Sequence, residues 1–211
     1  MSIAKVNTRA KWATLNPVLL PGETGLETDT KAKKNGDGKT PWNQLPYNGA
    51  AGYWGDFADT SDQTATANTP TSVLFRVDDI HNRGVRVVNN TRITVEHPGI
   101  YGFTFVLQLS NNDTVIHDIN VWLRLNDSGS SGDLPSTGTK VSVIESHGGV
   151  PGNNVIALNH AMLLAPNDYV ELIWATSHVD AYLQASAAIT SPYTRPATPS
   201  VHCSVVQIAS A

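Results

Sequence analysis

Seven histidines and a single cysteine are the side chains of this chain best suited to hold a metal or attack a substrate. His117-Asp118 and His178-Val179-Asp180 are the tightest His/carboxylate pairs. Neither matches a zinc-ligand spacing, and neighbouring residues of a strand point to opposite faces, so the expectation is no metal site and no cofactor. Gly38-Lys39-Thr40 imitates the end of a phosphate loop, but Lys33 stands where the motif needs its first glycine and no long helix pattern follows. Gly36-Asp37-Gly38 lacks the alternating acidic ligands of a calcium loop and reads as a hairpin turn. No glycine-flanked serine elbow and no patterned carboxylate pair occurs, so there are no catalytic candidates and the chain is not expected to be an enzyme. Cys203, alone, can form no intrachain disulfide and reads as a small apolar residue on the last strand, between Val201 and Val205. The sequons at Asn89, Asn112 and Asn126 carry no weight in a chain this rich in Asn.

The bulk properties narrow the class further. A net charge of −4 over 211 residues and a pI near 5.9 argue against nucleic acid as a partner. The one basic cluster, Lys31, Lys33, Lys34 and Lys39, is interrupted by Asp29 and Asp37 and reads as a solvated hairpin surface. No apolar run reaches the roughly 18 residues of a spanning helix, and residues 1–17 lack the apolar centre of a signal peptide. Neither membrane insertion nor export by that route is expected.

The elements that must position any site are short. Arg9 to Thr14 is the only helical window, with a cap at Asn7 or Thr8 and a stop at Asn16-Pro17. Gly22, Gly25, Gly36 and Gly38 then space short strand candidates at Leu26–Thr28 and Lys31–Lys34, which predicts one or two tight hairpins. Residues 1–47 therefore form a small module, too small to be stable without a partner surface. Residues 48–69 read as a linker, although Tyr53, Trp54 and Phe57 predict that it packs against something. From residue 70 to 211 about ten short β-rich runs alternate with turn clusters such as Asn111-Asn112-Asp113 and Gly148 to Asn153. The fold class is all-β: the hairpin module followed by a jelly-roll sandwich. Strict alternation places Tyr101, Phe103, Phe105, Leu107 and Leu109 on one buried face, and leaves Trp122 projecting away from the core opposite Val121 and Leu123.

Two resemblances rest on these residues. Arg9-Ala10, Trp12, Asn16-Pro17-Val18-Leu19, Gly22-Glu23, Gly25, Glu27 to Thr30, Gly36-Asp37-Gly38, Thr40, Trp42-Asn43 and Leu45-Pro46-Tyr47 resemble the N-terminal attachment module of bacteriophage tail-fibre and tropism-determinant proteins. Asn35 departs from that family's apolar residue before Gly-Asp-Gly. Gly99-Ile100-Tyr101-Gly102-Phe103, Trp122 to Asn126 and Leu163 to Val170 are similar to the jelly-roll head of tumour necrosis factor and complement-type globular domains. There, Asn167 replaces a glycine.

Both resemblances imply a homotrimer. They make Trp12, Trp42 and Tyr47 candidates for docking on another phage structural protein, and Trp122, Tyr169 and Trp174 candidates for the trimer interface. Three symmetry-related histidines on the trimer axis remain a separate way to hold an ion. The expected function is a virion structural protein, a short homotrimeric tail or baseplate fibre whose head contacts a host surface glycan or protein. The alternative is a capsid decoration protein with no receptor role. Strand counting back from the last strand puts Ser191–Ser200, Asp127–Thr139 and residues 165–167 at the apex, with 110–114, 146–153 and 177–180 near the module. Tyr193, Arg195, Ser130 and Asp133 are then the receptor-contact candidates.

Overall fold

The computed structural model describes residues 5–48, 52–79, 81–127 and 129–210. Fifteen strands and one α-helix follow in chain order: β1 (Lys5–Asn7), α1 (Arg9–Leu15), β2 (Thr24–Glu27), β3 (Lys33–Asn35), β4 (Trp54–Asp59), β5 (Thr71–Ser72), β6 (Val77–Asp78), β7 (Val85–Val88), β8 (Arg92–Val95), β9 (Gly99–Asn111), β10 (His117–Leu125), β11 (Thr139–Val143), β12 (Gly152–Leu164), β13 (Tyr169–Thr176), β14 (Ala181–Leu183) and β15 (Val201–Ser210). Among the described residues no helix is long and apolar enough to cross a membrane.

The N-terminal module forms as its capping residues dictate. The Thr8 side chain accepts from the Lys11 amide, and Asn16 ends α1 in the left-handed region at φ 41°. A hairpin of β2 and β3 follows, with β1 added parallel to β2. Trp12, Leu19, Trp42 and Leu45 make a core of their own. Gly25 is required there, since a Cβ at that position would lie 2.3 Å from Trp42 Cζ3.

Two six-stranded sheets follow, ordered β11-β10-β13-β8-β7 with β5 beside β13, and β12-β9-β15-β4-β6 with β14 beside β9. Their facing sides supply the main core. Tyr101, Phe103, Phe105, Leu107 and Leu109 of β9 meet Ile119, Val121, Leu123, Val170, Leu172 and Trp174 from the opposite sheet, as the alternation predicts. Cys203 is fully buried between Val201 and Val205, and burial pushes its thiol well above the ordinary range.

Two expectations need correcting. The span read as a linker contains β4, whose Phe57 lies in the core and whose backbone pairs with β15; residues 49–51 of that span lie outside the described residues. Residues 181–188, one of the ten β-rich runs expected to cross the sandwich, do not cross it as a strand. β14 and β15 both pair antiparallel with β9 on one edge, Leu183 opposite Leu109 and Val201 opposite Leu107. They are one strand interrupted by a hairpin excursion over residues 184–200, held by bridges between Ser186 and Thr198 and between Ile189 and Arg195.

Candidate functional surfaces

The broken strand reverses the direction assigned to almost every loop. Tyr53 stacks edge-on to Tyr47 at 6.4 Å, which places the module beside the start of β4. Register then carries Gly99, Leu125, Leu164 and Tyr169 to that same end, and Asn111, His117, Gly152, Thr176 and Ala181 to the other. The distal end is therefore built from loops 110–114, 146–153 and 177–180, with the 184–200 excursion leaving the sheet beside it. Loops 127–138 and 165–167 lie at the module end. A full crossing by residues 181–188 would add one reversal and invert every loop before it; the shared lane of β14 and β15 removes that reversal.

This relocates the receptor-contact candidates. Tyr193 sits near the tip of the excursion and is 63% exposed. Arg195 instead donates to its own loop, to Pro196 O at 3.0 Å and Thr198 Oγ1 at 3.2 Å. Ser130 and Asp133 are near the module, where the loop folds back along β10. The Asp133 carboxylate accepts from Arg124 Nε at 2.7 Å. Burial works against that carboxylate, but the bond and charge of Arg124 still hold it below the usual range.

The docking candidates Trp12 and Trp42 turn inward. Their rings stack at 4.1 Å between centroids, and Trp12 Nε1 donates to Leu26 O at 3.0 Å. Tyr47 is the joint to the sandwich: its hydroxyl donates to the fully buried Glu27 carboxylate at 2.5 Å, and Lys34 Nζ lies 4.3 Å from its ring centroid. Burial lowers the Lys34 ammonium to about 8. A cleft of about 350 Å³ between Leu45, Tyr47, Tyr53, His97 and Pro166 marks the seam of module and sandwich. The module's exposed apolar side chains are others, Val6, Leu15, Val18 and Leu20, the last 67% exposed. The Gly36-Asp37-Gly38 turn is closed by Asp37, which accepts from the Thr40 hydroxyl and from the amides of Thr40 and Lys39 and is pushed down to about 2.

Of the interface candidates, Trp174 is a correction: it is fully buried in the sandwich core, because its side of β13 faces β9. Trp122 does project from the outer face, into a groove of about 690 Å³ with Asn120, Lys140 and Thr176. Tyr169 is half-buried with the Arg92 guanidinium 4.6 Å from its ring centroid. An exposed apolar surface lies on the opposite sheet. Ile100, Leu163, Val206 and Ile208 project outward there around Gly102, Ala161, Thr104 and Ser204. Alternation along β9 gave the signal, since the back of its core face carries Ile100, Gly102 and Val106.

One cluster at the distal rim was invisible in sequence. Asp113 in the β9–β10 turn, His117 at the start of β10 and His178 after β13 bring one ligand atom each to within 4.8 Å of one another. His117 Nε2 lies 2.8 Å from Asp113 Oδ2, and His178 Nδ1 lies 3.8 Å from the same oxygen. The His117 contact, followed by the Thr114 amide, holds Asp113 below the usual carboxylate range. His117 continues the core-facing phase of β10, which turns it inward at the rim. Its partner histidine arrives three strands later, beyond the reach of any spacing rule.

No family model matches the chain, and no curated protein matches it. Among solved structures the chain is similar to that of Eiger TNF from S. frugiperda, at 15% sequence identity and a TM-score of 0.50, over 76% of this chain and 94% of that one. The likeness is one of fold: the sandwich is a TNF-like jelly roll.

Proposed function

We propose that the chain is a bacteriophage virion structural protein, a short homotrimeric fibre that attaches through its N-terminal module and points the far end of its jelly roll at the host. The observation that carries this reading is polarity. The module resembling tail-fibre attachment units packs at one end of the sandwich, while the loops at 110–114, 146–153 and 177–180 lie at the other. A rigid scaffold that separates an attachment end from a loop-built end is suited to presenting loops to a partner.

Threefold assembly has its own support. The outer face of β12, β9 and β15 exposes Ile100, Leu163 at 69%, Val206 at 49% and Ile208 at 56%. Gly102 and Ala161 keep that face flat enough for close approach by a second copy. A trimer repeats each weak tip contact three times and so raises avidity. Attachment falls to Val6, Leu15, Val18 and Leu20, the large apolar side chains left uncovered among the module's described residues.

The test is an adsorption assay with particles carrying Tyr193→Ala, together with a cryo-EM map of the particle. Reduced host adsorption with the module seated on the particle and the distal loops free fits the proposal. Unchanged adsorption removes Tyr193 as a host contact, and a sandwich lying flat against capsid subunits identifies a decoration protein instead.

A further inference from the structure

We propose that Asp113, His117 and His178 form a binding site for a divalent transition-metal ion of the zinc class, which ties the rims of the two sheets together at the distal end. This inference does not depend on the fibre reading.

Geometry comes first. Ligand atoms around a tetrahedral ion with bonds near 2.1 Å are about 3.4 Å apart. His117 Nε2 and His178 Nδ1 stand 2.8 and 3.8 Å from Asp113 Oδ2, on either side of that value. The two imidazoles lie nearly parallel, 10° apart with centroids 4.5 Å from one another. Each brings a ring nitrogen near one carboxylate oxygen, and a turn of one ring about its side-chain torsions would bring both in-plane lone pairs onto a shared ion. Two imidazoles and one carboxylate suit zinc and its neighbours rather than calcium or magnesium, which favour all-oxygen sets.

The surroundings hold the ligands still. Asp113 N donates to Asn111 Oδ1 at 2.9 Å, and Asp113 O accepts from Ser146 N at 2.7 Å. Asn111 Nδ2 reaches Val115 O, Val143 O and Ile144 O, so the turn is fixed from beneath. His178 O accepts from Thr176 Oγ1 at 2.7 Å and from Ala181 N at 3.1 Å, which sets the second turn. Ser177 Oγ lies 3.5 Å from His117 Nδ1, where it can accept that N–H and leave Nε2 free as the ligand. Asp180 Oδ2 approaches His178 Nδ1 at 3.3 Å and adds negative charge beside the site. Three protein ligands leave one tetrahedral position for water or for a donor from outside the chain.

The site joins the β9–β10 turn to the segment after β13, far along the chain. Asp113 lies in the turn that leaves β9 of one sheet, whereas His117 opens β10 and His178 follows β13 of the other. An ion there would cross-link the rim from which loops 110–114 and 177–180 spring.

The experiment is a titration of the full-length protein, stripped with chelator, with Zn²⁺ by calorimetry and with Co²⁺ by visible absorption. The expected result is one ion per chain, a tetrahedral Co²⁺ spectrum displaced by Zn²⁺, and a melting temperature raised by zinc. His117→Ala and His178→Ala should each weaken binding by about 100-fold or more, and Ser177→Ala by about tenfold, the scale of a lost outer-shell partner. Asp113→Asn, which keeps the turn's shape, guards against loss by misfolding. His147→Ala and His160→Ala should leave binding unchanged. Absence of stoichiometric uptake by the wild type overturns the proposal, as does uptake that survives both His117→Ala and His178→Ala.

Discussion

Trp12 and Trp42 lie ring on ring, 4.1 Å apart and 14° from parallel, joining the only α-helix of the described residues to the segment that leaves the module. This stack is the centre of a core separate from that of the sandwich. Trp12→Ala should therefore cost the module about 3–5 kcal/mol, the usual range for a large buried aromatic, without melting the jelly roll. Limited proteolysis should cut within residues 5–48 and leave a stable fragment from about residue 52. Cooperative loss of both parts would show that they fold as one unit.

Attachment should depend on what the module exposes. Leu15→Glu combined with Leu20→Glu changes two uncovered side chains, so folding should be retained while incorporation into particles falls at least tenfold. Immunoblotting of purified particles against cell lysate measures this. Full incorporation would move the docking surface elsewhere.

The apolar sheet face predicts the state of assembly. Wild-type protein should scatter light as three chains of 22.6 kDa. Val206→Asp with Ile208→Lys should give a monomer whose far-UV spectrum is unchanged, because both side chains are exposed on the single chain. A monodisperse monomer in the wild type would remove the trimer.

Lys34 gives a pH dependence with a definite sign. Burial lowers its ammonium from 10.5 to about 8, so the unfolded chain holds the proton more tightly than the folded one between those values. Stability thus rises with pH from about 8 upward, and the penalty of the buried charge is fully present below that. From pH 7 to 9.5 the gain is about 2 kcal/mol, since a tenfold difference in proton affinity between the two states corresponds to about 1.4 kcal/mol. The buried Cys203 thiol and the raised phenols of Tyr47, Tyr53 and Tyr101 work in the opposite direction at high pH. The measurement is therefore the difference in melting curves between wild type and Lys34→Met, in which those contributions cancel. Parallel pH profiles would show that Lys34 is not the source.

Cys203 should be chemically silent in the folded protein. It is fully buried and its thiolate is strongly disfavoured. Alkylation at pH 8 should be negligible in buffer and complete in guanidinium, as read by mass spectrometry. Rapid labelling of the native chain would reveal an opening of the last strand.

Much of the architecture follows from local pattern. Alternation from Tyr101 to Leu109 requires a strand with one buried face, and that face is where the core is found. Thr8 and Asn16-Pro17 bound a helix because capping and the restriction before proline act within a few residues. Asn167 sits at φ 70°, a conformation that Asn tolerates better than most residues.

Direction, partner choice and distance were decided by the tertiary structure. A run of β-forming residues does not say whether it crosses a sandwich or merely enters one lane of it, and Ala181–Leu183 does the second by sharing an edge of β9 with β15. Nor does an apolar face say what it meets. Trp174 meets the opposite sheet, while Val206 and Ile208 stay exposed among the described residues. His117 and His178 each look isolated along the chain, and only the antiparallel pairing of β10 with β13 brings them to one carboxylate. Sequence patterns encode which side of an element is buried, since that depends on near neighbours. Which elements become adjacent depends on contacts between residues distant in the chain, and these exist only once the sandwich has closed.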